Sequence, residues 1–286
     1  MRWGSIRRDD GRRSAALLVG DKVVTMWDVN EKFHRKYPLR LEDIICDGIA
    51  GTIDADIRAL GGIQTLGVPA NAVEILAPMS SPERIAGIGL NYRAHAQDLS
   101  EMVPEEPATF LKPTSSIIGP GEMIEIPQVS ERTTAEAELA LVFGRTCKNV
   151  PEHAWRDVVF GIVPVLDMTT EDILRKNSRF LTRSKGYDTF FSYGPWIATL
   201  DEFPELETIT VETVINGEVR AQNRVSGMVY DLANLVQFIT TDVAVGATAI
   251  LSTGTPGAGV ITAGDRVEAR LKGLGTLVNP VARARS

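Results

Sequence analysis

A chain of 286 residues, 44% hydrophobic and 23% charged, can bury a substantial core and has the ordinary composition of a soluble globular protein. Its net charge of −7 and pI near 5.2 argue against nucleic-acid binding, which normally needs a basic surface. No apolar run approaches the roughly 18 residues of a membrane span, so no membrane partner is expected.

The first residues, Met1-Arg2-Trp3-Gly4-Ser5-Ile6-Arg7-Arg8, are basic and lack the apolar stretch of a secretory signal, which suits a solvated leading arm. Residues 15–19, a Gly20-Asp21 turn and residues 23–27 predict a β-hairpin. Residues 41–60 carry Ile44, Ile45, Ile49, Ile53 and Ile57 at mixed helical spacing, with Gly48 and Gly51 interrupting any single helix. Residues 1–75 therefore read as a small α+β domain, joined through a linker at 67–71 to a larger domain over 76–286. There, short apolar runs at 85–90, 123–126, 139–143, 158–166, 209–215, 247–251 and 267–271 predict strands between Gly/Pro turns. One amphipathic helix is predicted over 226–240. The fold class expected is α+β and β-rich. Cys46 and Cys147 show no metal-ligand spacing and are expected to be reduced, packed thiols of a cytoplasmic protein.

The segment Thr134-Ala135-Glu136-Ala137-Glu138-Leu139-Ala140-Leu141-Val142-Phe143 alternates and then turns fully apolar, as a strand does on entering a core. Residues two apart on a strand share a face, so the Glu136 and Glu138 carboxylates stand side by side. Such a pair repels itself unless a cation lies between. A third carboxylate, Asp167, closes the apolar run Val163-Pro164-Val165-Leu166, and hard divalent cations take oxygen ligands. On the spacing alone, an edge strand carrying two solvated glutamates is the simpler reading, because Glu-x-Glu is common by chance.

The surrounding motifs narrow the reading. Gly89-Leu90-Asn91-Tyr92-Arg93-Ala94-His95 is followed by Phe110-Leu111-Lys112-Pro113, the Glu136-Ala137-Glu138 strand and Asp167. Lys185-Gly186-Tyr187-Asp188-Thr189-Phe190, Gly194-Pro195-Trp196, Asn216-Gly217-Glu218, Thr253-Gly254-Thr255-Pro256, Gly264-Asp265 and Gly273-Leu274-Gly275 come after. In this order, from about residue 80 onward, the chain resembles the catalytic domain of the fumarylacetoacetate hydrolase family. The resemblance implies a mixed β-sandwich roll with a metal site at one mouth, and a homodimer. It also implies Glu136, Glu138 and Asp167 as ligands of Mg²⁺ or Mn²⁺, with Ca²⁺ as a third candidate. His95 would be the water-activating base, oriented by Asp98 or else Glu101, within a lid over 96–104. Lys185 would neutralise an enolate or a substrate carboxylate, and Tyr92, Lys112, Arg183 and Thr255 would contact substrate.

The family pattern is broken just after Asp167. Relatives commonly carry Arg four residues on and Gln three beyond it, where this chain has Glu171 and Leu174. A unit charge at ~4 Å is worth roughly 4 kcal/mol at an effective dielectric of about 20, so the inversion must be answered somewhere. Glu171 points away while Arg179 or Arg183 supplies the cation, or the substrate lacks a second carboxylate, or the reaction differs. The expected activity is hydrolysis of a carbon–carbon bond in an acylpyruvate-like or β-diketo acid, with a small-molecule oxo acid or dicarbonyl as substrate. Decarboxylation, isomerisation or hydration on the same residues, and a catalytically silent binding partner, are the alternatives.

Overall fold

The apolar run that ends at Phe143 is the inner part of an 11-residue strand, Thr133–Phe143, buried along its whole length. In the computed structural model, which describes residues 1–59, 66–94, 102 and 104–285, this strand pairs antiparallel with Val159–Thr170 near the middle of the larger of two mixed sheets. Its two faces meet different partners. Ala135, Ala137, Leu139, Leu141 and Phe143 pack against Val211, Ile215, Val267, Ala269 and Leu277 of the smaller sheet. Ala140 and Val142 turn the other way, with Val163 and Val165, onto Trp3, Leu17, Val24 and the helical residues Ile44, Ile45, Ile53 and Ile57. Burial on both faces removes the usual polar alternation, which is why the strand reads as a continuous apolar run. Each fully buried Val, Leu, Ile or Phe among them contributes about 1.5–3 kcal/mol on leaving water.

The segment before residue 76 shares this larger sheet. Arg2–Arg7 pairs antiparallel with Arg13–Val19 on one side and with Ile197–Thr199 on the other, in the register Trp3↔Ile197. The expected hairpin joins Arg13–Val19 to Lys22–Thr25 through Gly20, whose φ of +62° suits the two-residue turn. It is shorter than predicted, because Met26 and Trp27 open a helix, Met26–Phe33. Thr25 accepts a hydrogen bond from the Asp28 backbone N–H at 3.1 Å, so a capping threonine overrides the local strand propensity. The 41–60 region divides into Leu41–Cys46 and Ala50–Ala59, with Gly48 at φ +65° between them.

The predicted 226–240 helix is also shorter. Leu232–Thr240 is helical, capped where Asp231 accepts from the Asn234 N–H at 2.8 Å. The residues ahead of it are used otherwise. Val229 donates to the Asn91 carbonyl at 2.8 Å, and Tyr230 donates to the Asn91 side-chain oxygen at 2.9 Å. Cys147 is half-buried and Cys46 is exposed, so Cys46 is not the packed thiol expected; both are unpaired. No described helix is long and apolar enough to cross a membrane.

Candidate metal centre

Strand register brings the three acids together. Glu136 lies directly opposite Asp167 in the antiparallel pair, and Glu138 lies two residues along on the same face. One ligand oxygen from each of Glu136, Glu138 and Asp167 lies within 4.8 Å of the others. All three are buried, Asp167 at 0% and Glu138 at 1% exposure, so the edge-strand alternative with solvated glutamates does not describe this site. Like charges directly opposite on a sheet destabilise it unless they are compensated.

Two lysines provide part of the compensation. Lys185, at the end of the short helix Leu181–Lys185, places Nζ 2.9 Å from Glu136, 2.7 Å from Asp167 and 2.8 Å from the Thr169 hydroxyl. Its ammonium also stands 4.8 Å from the centre of the Phe110 ring, close enough for a cation–π contact. Lys112 donates to the other oxygen of Asp167. The two ammonium groups respond in opposite directions. Burial lowers the pKa of both, but Lys185 faces Asp167, Glu136 and Glu138 and is raised overall. Lys112, buried with Asp167 as its main counterion and with Lys185 nearby, falls to about 8. Glu138 accepts from the Ser252 hydroxyl at 2.6 Å and the Gly254 N–H at 2.8 Å. Burial and the neighbouring Asp167 nonetheless push its carboxyl up to about 8.

Three ionised carboxylates and two ammonium groups leave a net negative charge in a dry place. A hard divalent cation fits it: the donors are all carboxylate oxygens, and the two ammonium groups leave the three carboxylates short of positive charge. Glu136, Glu138 and Asp167 are the residues that could hold such an ion.

Glu136 and Glu138 open into a cavity of about 290 Å³, with Asp167 buried behind them. Glu136, Glu138, Thr169, Lys185 and Thr255 form one polar part, Glu171, Arg175 and Ser178 another, and Ile88, Leu90, Ala108, Leu174 and Leu181 line much of the rest. A wider groove of about 980 Å³ lies over the smaller sheet between Arg2, Arg224 and Arg270, but no buried acid or base lines it.

The loops at the cavity are fixed by Asn91 and Gly254. Asn91 donates to the Thr253 carbonyl at 2.8 Å and the Tyr230 carbonyl at 3.1 Å, tying the 90–92 segment to the 253–255 loop. Gly254 has φ +96°, and a Cβ there would come within 2.8 Å of Asn91 Cβ. Gly254→Ala is therefore expected to cost about 2 kcal/mol or more, read from urea unfolding, and to loosen the grip on Glu138. Unchanged stability in that variant would contradict this account of the loop.

The other expected site residues are dispersed. Thr255 is at the cavity, but its hydroxyl donates to the Gly257 carbonyl at 3.0 Å within its own loop. The Tyr92 side chain is buried with its hydroxyl unpartnered, and burial near Glu138 raises its pKa. Arg183 lies over the Phe180 ring, in a separate cleft with Leu111, Pro113 and Tyr187. His95, Asp98 and Glu101 lie outside the described residues, as does most of the 96–104 segment. Glu171 does not face away from the cavity. It lines the wall, with one oxygen 2.6 Å from Arg132 Nε and the other 2.5 Å from Arg175. Its charge is thus answered by Arg132 and Arg175, neither of which the sequence reading had singled out. The i,i+4 spacing of Glu171 and Arg175 was the available signal for one of them.

Comparisons with known proteins identify the family. The family described as fumarylacetoacetate (FAA) hydrolase C-terminal matches residues 84–282. An uncharacterized protein of Archaeoglobus fulgidus is 36% identical over 232 residues, covering 81% of this chain and 90% of the relative. The crystal structure of a 5-carboxymethyl-2-hydroxymuconate delta-isomerase from Mycobacterium smegmatis superposes with a TM-score of 0.78 at 30% identity, covering 100% of both chains. A maleylpyruvate hydrolase from Sphingobium, in complex with manganese(II) and pyruvate, superposes with a TM-score of 0.80 at 27% identity, again over 100% of both chains. The match over most of the chain places this protein in the fumarylacetoacetate hydrolase family.

Proposed function

We propose that this protein is a divalent-metal-dependent hydrolase that cleaves a carbon–carbon bond in an acylpyruvate-like or other β-diketo acid. The observation that carries the reading is the convergence of Glu136, Glu138 and Asp167 within 4.8 Å, beside a cavity lined by Glu136, Glu138 and Lys185. Mg²⁺ and Mn²⁺ are the ions this donor set suits, and a bound ion would supply Lewis-acid polarisation of a chelating 2-oxo acid or dicarbonyl. The Sphingobium maleylpyruvate hydrolase, with manganese and pyruvate, supports both halves of that statement.

The chain's own residues then divide the work. Lys185 holds a positive charge at the cavity wall, where it stabilises negative charge developing on a substrate oxygen. Gly254 and Ser252 orient Glu138, and Thr169 orients Glu136 through a 3.0 Å hydrogen bond. In this reading His95, with Asp98, takes a proton from water, whose oxygen joins the distal acyl carbon. The bond to the methylene carbon breaks, and that carbon takes up a proton, releasing a carboxylate and a 2-oxo acid. The same reading takes the protein as a cytoplasmic homodimer.

The test is incubation with Mg²⁺ or Mn²⁺ and a panel of acylpyruvates and oxaloacetate, following loss of enol absorbance and identifying products. Acylpyruvates are expected to yield pyruvate and a carboxylic acid in equal amounts. Full-length likeness to the Mycobacterium smegmatis isomerase supports a second reading, isomerisation of an unsaturated oxo acid without water. Conversion without chain cleavage would select that reading over hydrolysis.

A further inference from the structure

We infer that the substrate's distal end is an uncharged, apolar acyl tail, selected by Leu174 and by the engagement of Glu171 with Arg175. The inference rests on the oxo-acid reading above and adds the class of tail. Two sets of observations converge on it.

The first is apolar lining. Away from Glu136 and Glu138, the cavity presents Ile88, Leu90, Ala108, Leu174 and Leu181, with Glu171, Arg175 and Ser178 beside the last two. Leu174 closes the short helix Glu171–Leu174, which places it beside the other exception to the family pattern. An apolar surface of this kind favours methylenes over a charged end, which would lose its hydration without compensation.

The second is charge. A distal carboxylate needs a cation free to receive it. Among the described lining residues the cations are Lys185 and Arg175. Lys185 is held by Glu136 and Asp167 at 2.9 and 2.7 Å. Arg175 is held by Glu171 at 2.5 Å, and the other Glu171 oxygen is held by Arg132 at 2.6 Å. A second substrate carboxylate would have to share Arg175 with Glu171 and approach the Glu171 charge. That competition discriminates against diacids.

Calorimetric titration of the Mn²⁺-loaded protein with pyruvate, 2-oxobutyrate, 2-oxohexanoate and 2-oxoadipate tests the inference. Affinity is expected to rise about fourfold for each buried methylene. 2-Oxohexanoate is expected to bind at least about tenfold more tightly than 2-oxoadipate, which has the same number of carbons but ends in a carboxylate. In Leu174→Gln that ratio should fall several-fold. In Glu171→Gln, which releases Arg175, 2-oxoadipate should gain affinity several-fold while 2-oxohexanoate does not. Equal or tighter binding of 2-oxoadipate by the wild type overturns the inference, and so do ratios unmoved in both variants. Failure of pyruvate itself to bind the Mn²⁺-loaded protein would instead sink the oxo-acid reading, and the tail assignment with it.

Discussion

Glu136→Ala is expected to lower Mn²⁺ affinity by at least about a hundredfold. Residues that only orient a ligand typically cost 10–100-fold when lost, and Glu136 is placed to be a ligand itself. The metal-free protein should tolerate the change much better. Removing Glu136 deletes hydrogen bonds from Thr169 and Lys185, but it also relieves repulsion from Asp167 directly across the strand pair. Lys185 keeps Asp167 and Thr169 as partners. The two readouts therefore separate. At a Mn²⁺ concentration of about 100 Kd the wild type should gain about 2.7 kcal/mol of stability, and the variant should gain almost none. Calorimetric titration together with melting in chelator and in Mn²⁺ measures both. Undiminished Mn²⁺ binding by Glu136→Ala would refute the three-carboxylate site.

Lys185→Met should have the opposite profile. Lys185 is 5% exposed, and its ammonium stands between two buried carboxylates at 2.7 and 2.9 Å. Removing it leaves Glu136 and Asp167 short of a counterion, and breaking a buried pair in this way costs about 3–5 kcal/mol. Lys112 still serves Asp167, which keeps the expected loss toward the lower end. In chelator the variant should melt well below the wild type. Added Mn²⁺ should recover much of the difference, because the ion supplies the missing positive charge to the same oxygens. Identical melting in chelator would show that Lys185 does not compensate these acids, and the charge account of the site would fail with it.

Much of the site was legible because its chemistry follows a local rule. Glu136 and Glu138 share a face through the two-residue period of a strand, and the acids lie on a strand that is otherwise apolar. The order of motifs from Gly89 to Gly275 placed Asp167 and Lys185 in the same neighbourhood, and both are there. The regions misread locally are those claimed by tertiary contacts. Tyr230 and Val229 leave the expected helix to bind Asn91, and Met26 joins a helix because Thr25 caps it.

Composition and strand periodicity pointed to the α+β, strand-rich class, and the resemblance carried by motif order pointed to the family and to the three acids as candidates, since all of these are patterns readable along the chain. The register Glu136↔Asp167, the burial that makes their repulsion matter, and the pairing of Glu171 with Arg132 and Arg175 came only with the folded chain. Those features bring together residues up to tens of positions apart. The balance of desolvation against Coulomb attraction that governs them depends on distance in space rather than along the chain.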